Sequence, residues 1–279
     1  MPNLTKKFLQ LTFTAVFAAA LLLTAGCGSG STDKPAAGSS DAKTYVVATR
    51  GTFRPFTYMD DKDKLTGYDI EVLKEIEKRN PDIKFTFKLM SVDAGFLGLE
   101  SGQVDLIANQ ITYNEKRAAK NIYTKEVNNY TSRKLAVRED STDINSIDDL
   151  RGRKVALTAS SEITRQLQKY NETANPKIEF VFTDKGSSEA LNLVITGRAD
   201  AAPQYEVTID DSKKTLGLKI KAVGPVIASD PTYYALKKDD AHQALADKID
   251  KTLKEMHADG TLKKLSEQFL GKDYTVPQK

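Results

Sequence analysis

Residues 104–117 read V-D-L-I-A-N-Q-I-T-Y-N-E-K-R. The stretch opens as a short apolar run, Val104, Leu106, Ile107 and Ala108, of the kind a buried strand shows. It then turns polar through Asn109, Gln110 and Thr112 and closes on one arginine, Arg117. In open α/β sheets, ligands sit in the crevice beyond the carboxyl ends of the strands. A strand that ends in amides, a hydroxyl and a guanidinium therefore reads in one of two ways. It is the mouth of a ligand cleft, or a strand leaving the core with Arg117 as a solvated charge.

Working outward, residues 44–49 predict a first strand, broken at Gly51 into the loop G-T-F-R-P-F-T-Y. Ile70, Leu73 and Ile76 fall on one helical face before the stop Asn80-Pro81. Ile83, Phe85, Phe87 and Leu89 alternate with polar residues and predict a half-buried strand. A helix over 93–100 precedes the opening stretch. Beyond it, strands are expected at 132–138, 154–157, 178–182, 199–203, 219–223 and 232–236. Helices are expected at 160–170, 187–196, 241–257 and 261–269, the last two split by Asp259-Gly260. One echo stands out: S-G-Q-V-D-L-I at 101–107 is matched by T-G-R-A-D-A-A at 196–202. A helix end, a glycine and an Asp-bearing strand start recur, which suggests two α/β lobes on one plan, with a cleft between them.

The N-terminus is read as an export signal over residues 1–26. Lys6 and Lys7 precede an apolar run over residues 8–23, then Thr24-Ala25-Gly26 and Cys27. T-A-G-C resembles a bacterial lipobox, which makes Cys27 the acylated first residue of a mature lipoprotein carrying palmitate-type chains. Residues 27–43, rich in Gly, Ser and Ala, form a flexible linker between anchor and fold. Cys27 is the chain's single cysteine, so no internal disulfide is possible. The formal charge of +3 loses two with Lys6 and Lys7, leaving +1. A chain so near neutrality has no global field drawing it to nucleic acid or to anionic lipid.

The catalytic vocabulary is thin. The two histidines, His242 and His257, fall inside predicted helices at a spacing that suits no metal motif, and no phosphate loop or nucleophile elbow occurs. What is present points to binding an acid. Arg117 offers a planar fork that matches a carboxylate, and Thr112 adds a hydroxyl and an N–H. Ser160 and Ser161 open a predicted helix, where they either cap it or add donors to its positive end. Of Phe53 and Phe56, one is expected to line the ligand and the other to pack in the core.

Four stretches together resemble the polar amino-acid solute receptors of ABC uptake systems: 51–72, 104–117, 197–202 and 259–271. The similarity runs in order through residues 44–272 and is closest in feel to the cystine-type branch. It implies an α/β, two-lobe, periplasmic-binding-protein-like type II fold, each lobe a mostly parallel sheet flanked by helices. Two hinge crossings follow, near 129–133 and 227–230, with residues 44–130 plus 229–279 as lobe 1 and 131–228 as lobe 2. By the resemblance, Arg117 grips an α-carboxylate, Thr112 adds a hydroxyl, and the Gln110 backbone carbonyl takes an α-ammonium. Phe53 is the first-loop aromatic, and Ala159-Ser160-Ser161 is the second-lobe anion turn.

Two positions depart from the family pattern. Tyr205 stands where an ammonium-binding aspartate is usual, with Glu206 beside it but pointing the other way if the segment is extended. Tyr205 could then meet an ammonium through its ring face. Val92 replaces a frequent aromatic. The implied protein is a monomeric, extracytoplasmic, lipid-anchored membrane receptor, on a Gram-positive surface. It would hand a polar amino acid, with cystine in view, to ABC permease subunits without cofactor, metal or catalysis. The alternatives are a dehydratase of the same fold acting on a carboxylate, with Glu206 its one candidate acid or base, and a ligand-sensing module.

Overall fold

The computed structural model describes residues 42–159, 161–183 and 186–279. The export signal, the lipobox with Cys27, most of the linker, and Ser160 lie outside them. Strand β1 (Lys43–Thr49) is followed by a small antiparallel meander of β2 (Thr52–Phe53), β3 (Thr57–Met59) and β4 (Leu65–Thr66). Helix α1 (Tyr68–Arg79), strand β5 (Ile83–Leu89), helix α2 (Val92–Ser101), strand β6 (Leu106–Thr112), helix α3 (Glu115–Ala118) and strand β7 (Asn121–Tyr123) complete the first half. The chain then crosses to β8 (Arg133–Arg138), β9 (Lys154–Leu157), α4 (Glu162–Tyr170), β10 (Glu179–Phe182), α5 (Ser187–Ile195), β11 (Ala201–Tyr205), α6 (Glu206–Leu216) and β12 (Ile220–Ala228). It returns through β13 (Thr232–Lys237), α7 (Asp240–Ala258) and α8 (Thr261–Leu270).

Two five-stranded sheets result, in the orders β5-β1-β6-β13-β7 and β10-β9-β11-β8-β12. In each, the fourth strand runs against its neighbours and the other four share one direction. The reversed strand is the one that follows a crossing: β8 in the second sheet, β13 in the first. The two crossings run side by side, joined by a bridge between Tyr130 and Pro231 and by Thr131 N donating to Asp230 O at 2.8 Å.

The echo of 101–107 at 196–202 is structural. Gly102 and Gly197 both take positive φ, 72° and 69°. After each, two successive N–H groups return to one helical carbonyl: Gln103 and Val104 to Gly98, Arg198 and Ala199 to Leu193. The aspartate then ties down the neighbouring parallel strand. Asp105 accepts the Val46 N–H at 2.6 Å, and Asp200 accepts the Lys154 N–H at 2.8 Å. Each carboxylate thus satisfies a backbone donor one residue before its parallel ladder, which begins at Val47 with Leu106 and at Val155 with Ala201.

Helix α1 buries Ile70, Leu73 and Ile76 as its periodicity predicts, together with Asp69. It packs with α7 and α8 over one face of the first sheet, so the C-terminal helices belong to the first lobe. Phe96 and Leu99 of α2 cover the opposite face. The second lobe has its own core around Leu135, Val155, Ile163 and Leu167. Two readings of the sequence are corrected. The alternation of β5 fades at its end, where Leu89 on the sheet edge is 52% exposed. Helix α6 was not anticipated, because it buries few large apolar side chains, Val207 and Ile209 among them. No helix among the described residues is long and apolar enough to cross a membrane.

Candidate functional site

The carboxyl ends of both sheets meet at one cavity of about 240 Å³. From the first lobe come Arg50, just past β1, and Asn109 to Thr112 at the end of β6. From the second come Leu157 and Thr158 at the end of β9, and Pro203, Gln204 and Tyr205 at the end of β11. Arg117, Arg133, Ser161, Gly186 and Ser187 complete much of the wall.

Arg117 is held by its own short helix. Asn114 caps α3 by accepting the Arg117 N–H at 3.1 Å, which aims the side chain back toward β6. The guanidinium lies over the Phe96 ring at 4.3 Å and donates from Nη2 to Asp93 Oδ1 at 3.1 Å. Asp93 is 79% exposed, and an ion pair of that kind is weak. An anion entering the cleft therefore competes with a loosely held partner. Thr112 lines the same cavity, so the two residues read from one stretch of sequence do converge.

Gln110 behaves differently from the rest of its strand. Its φ is +55°, and its side chain turns into the protein. Nε2 donates to Asp69 Oδ1 (2.7 Å) and to Asn129 Oδ1 (2.9 Å), while Oε1 accepts from Asn129 Nδ2 at 3.0 Å. With its amide fully engaged, only the backbone of Gln110 is left for a ligand. Asp69 also accepts the Gln110 N–H (3.1 Å) and Asn128 Nδ2 (3.1 Å). Burial pushes the Asp69 carboxyl up to about 7, against the pull of those hydrogen bonds from Gln110 and Asn128. Asn129 in turn accepts Thr232 Oγ1 at 2.8 Å, so the network joins the floor of the cleft to both crossings.

Phe53 and Phe56 are both buried, their ring centroids 5.0 Å apart. Phe53 is the one that lines the cavity. Tyr205 packs against both, at 5.8 and 5.9 Å, from the second lobe. The Arg133 guanidinium sits 4.4 Å over the Tyr205 ring, so the face expected to greet a ligand cation already carries one. Glu206 does point away from the cleft, but not because the strand continues. β11 ends at Tyr205 and Glu206 opens α6. Its carboxylate receives Lys272 Nζ (2.7 Å), Ser132 Oγ (2.9 Å) and Tyr274 Oη (3.3 Å), and pairs with Lys134 at 3.0 Å. Burial raises its pKa, but these partners outweigh it and hold the carboxyl at about 2. Spent in this way, Glu206 is no acid or base for cleft chemistry.

Ser161 lies at the cavity wall and caps α4: its Oγ accepts the Thr164 N–H at 3.3 Å and bonds to Thr164 Oγ1 at 2.8 Å. Ala159 does not take positive φ, so alanine is compatible with the turn. Val92 also lines the cavity, as the first residue of α2. Sequence reasoning missed Arg50 and Arg133. Arg50 directly follows β1 at a strand's carboxyl end, which was a legible signal; Arg133 follows a crossing and gave none.

Two α/β lobes, two adjacent antiparallel crossings and a polar cavity between the carboxyl ends of both sheets define a bilobed solute-binding protein of type II topology. The model of the family "Bacterial extracellular solute-binding proteins, family 3" matches residues 45–272. The L-cystine-binding protein TcyK of Bacillus subtilis is 35% identical over 266 residues, covering 95% of this chain and 97% of its own. The crystal structure of the probable amino-acid ABC transporter extracellular-binding protein ytmK from Bacillus subtilis superposes with a TM-score of 0.77. It is 36% identical and covers 84% of this chain and 100% of that one. The L-cystine solute receptor of Neisseria gonorrhoeae, unliganded and open, gives 0.61 at 32% identity, with 84% and 94% covered. The chain belongs to the bacterial extracellular solute-binding proteins, family 3, a family of binding proteins rather than enzymes.

Proposed function

We propose that this protein captures a polar amino acid, cystine being the first to test, in the interlobe cleft and delivers it to an ABC importer. The observation that carries the reading is Arg117, a ring-backed guanidinium at a shared strand-end cavity whose one ion-pair partner among the described residues is an exposed aspartate. The names of its relatives as L-cystine-binding proteins support the ligand class. In this reading the ligand carboxylate displaces Asp93 from Arg117, with Thr112 beside it and Ser160 and Ser161 donating from the opposite lobe. The backbone carbonyl of Gln110 takes an ammonium where the ligand carries one, and Phe53 and Tyr205 wall the side chain.

Residues 44–130 with 229–279 act as one lobe and 131–228 as the other, closing about the two crossings as the ligand bridges them. Residues 1–26 direct export, Cys27 carries the lipid anchor, and residues 28–43 give the monomeric receptor reach on the extracytoplasmic face to its permease. Calorimetry with L-cystine and a panel of amino acids, on the parent and on Arg117→Ala, tests the site. If Arg117→Ala keeps its affinity, the carboxylate clamp is wrong. Palmitate labelling that survives Cys27→Ala would remove the anchor from the reading.

A further inference from the structure

Three arginines, Arg50, Arg117 and Arg133, line the cleft cavity, and among the described residues no aspartate or glutamate does. Arg117 has Asp93. Arg50 and Arg133 have no carboxylate within ion-pair distance and no acceptor for their guanidinium N–H groups among the described residues. Each is instead held by an aromatic face. The Arg50 guanidinium carbon stands 5.8 Å from the Phe53 centroid, the Arg133 carbon 4.4 Å from that of Tyr205, and the two rings are 5.8 Å apart. The order Arg50–Phe53–Tyr205–Arg133 therefore spans from one lobe to the other. A guanidinium laid on a ring keeps its N–H edge free for a planar anion.

The second lobe closes on Arg50 at Gly186. This residue has φ +77°, and a Cβ there would lie 2.7 Å from Arg50 Nη2. The positive φ there favours glycine, and any side chain would push the Arg50 guanidinium aside. Across Arg50, Phe53 and Ser187 the cleft continues into an adjoining cavity of about 330 Å³, whose one carboxylate among the described lining residues, Asp211, is paired with Arg54 at 3.1 Å; it gives room for a ligand with a second functional end. Like charges gathered in one partly desolvated cavity repel, and their cost is offset only when an anion arrives. An ammonium brought into the same space adds to the repulsion.

We propose that Arg50 and Arg133 form a second anion seat in the cleft, so that the ligand carries two acidic groups and binds better with its amines masked than free. The chemical class is a dicarboxylate of about the length of cystine, net negative rather than zwitterionic. The proposal rests on the reading of Arg117 as the first carboxylate seat.

The experiment is calorimetry on the full chain and on Arg50→Gln, Arg133→Gln and Arg117→Ala, with thermal melts showing that each variant folds. The probes are L-cystine (two carboxylates, two ammonium groups), N,N′-diacetyl-L-cystine (two carboxylates, none) and S-methyl-L-cysteine (one of each). The diacetyl compound is expected to bind the parent at least about tenfold tighter than cystine. Arg50→Gln and Arg133→Gln are each expected to weaken it about tenfold or more while leaving S-methylcysteine unchanged, the size of losing one charged partner. If the two glutamine variants bind all three probes as the parent does while Arg117→Ala loses them, the second seat is wrong and the single-carboxylate site stands. Cystine binding at least as tightly as its diacetyl derivative would also overturn it. Failure of all three probes, or binding indifferent to Arg117→Ala, overturns both readings.

Discussion

Asp69 Oδ2 accepts the backbone N–H of Gln110 at 3.1 Å, and Gln110 is held there at φ +55°. A side chain in that region costs about 1–2 kcal/mol in backbone strain. The strain is sustained because the Gln110 amide locks reciprocally with Asn129, which Thr232 fastens in turn. Ligand floor and hinge are thus one polar unit.

Gln110→Ala should lose the buried network, about 2–4 kcal/mol, and keep the strain. Gln110→Gly loses the same network but relieves about 1 kcal/mol of backbone strain. Urea unfolding is expected to rank glycine above alanine at this site. Equal midpoints would mean that the positive φ stores nothing.

Asp69 sets a pH dependence of unusual sign. Its carboxyl is raised from 3.8 to about 7 in the fold, so the folded chain keeps a proton that the unfolded chain releases in that window. Stability therefore falls as pH rises from 3.8 toward 7, by about 4 kcal/mol at most from this group, and stays lowered above it. Asp69→Asn should flatten the slope of stability over that range. A slope unchanged in the variant would assign the effect elsewhere.

Glu206 acts in the opposite sense. Its carboxyl is lowered from 4.5 to about 2, so its contribution is complete above 4.5 and is lost as pH falls toward 2. The same carboxylate joins Ser132 and Lys134 beside β8 to Lys272 and Tyr274 of the C-terminal segment. Acid melts of Glu206→Gln should start lower than the parent and converge on it near pH 2. Parallel curves would show that the four partners do not depend on the charge.

In the proposed reading Asp93 and the ligand compete for Arg117. Asp93→Asn should raise carboxylate affinity severalfold, the worth of an exposed ion pair, about 0–1 kcal/mol. Arg117→Ala should cost roughly 2–5 kcal/mol. A fall in affinity for Asp93→Asn would mean that the aspartate orients the guanidinium instead of occupying it.

Tyr205→Asp puts a carboxylate beside Arg133 and removes a ring that packs against both Phe53 and Phe56. Binding of an ordinary α-amino acid is expected to strengthen and that of diacetylcystine to weaken, because one cation of the cleft is neutralised. Melting should fall as well, since aromatic pairs of this kind are worth about 0.5–1.5 kcal/mol each beyond their buried area. If calorimetry finds both ligands moving the same way, Arg133 is not a ligand group.

The strand over residues 106–112 and its polar end were legible because a strand buried on both faces is written as a continuous apolar run, here buried from Leu106 through Ile111. The echo at 196–202 was legible because an αβ joint needs a glycine, and the aspartate after it catches an N–H of the neighbouring parallel strand. Helix α6 was not, since a helix that buries Val207, Thr208, Ile209 and Ser212 leaves almost no apolar period to find. For Glu206 the expected direction was right and its cause was not: the strand ends one residue earlier.

What the amino-acid order determined by itself were most local elements and the place of Arg117 after a strand's polar end, each written within a few consecutive residues, and the two-lobe plan, written in the echo of 101–107 at 196–202. The tertiary structure alone decided which charges share the cleft. Arg50 follows β1, Arg117 lies in α3 and Arg133 opens β8, and they reach one cavity because β6 lies beside β1 and the second sheet meets the first at the cleft. It decided, too, that Tyr205 faces Arg133, an antiparallel pairing of β11 with β8 that no local period records. A side chain's type is local, but the field it sits in is the sum over everything the fold brings near, and that sum exists only after folding.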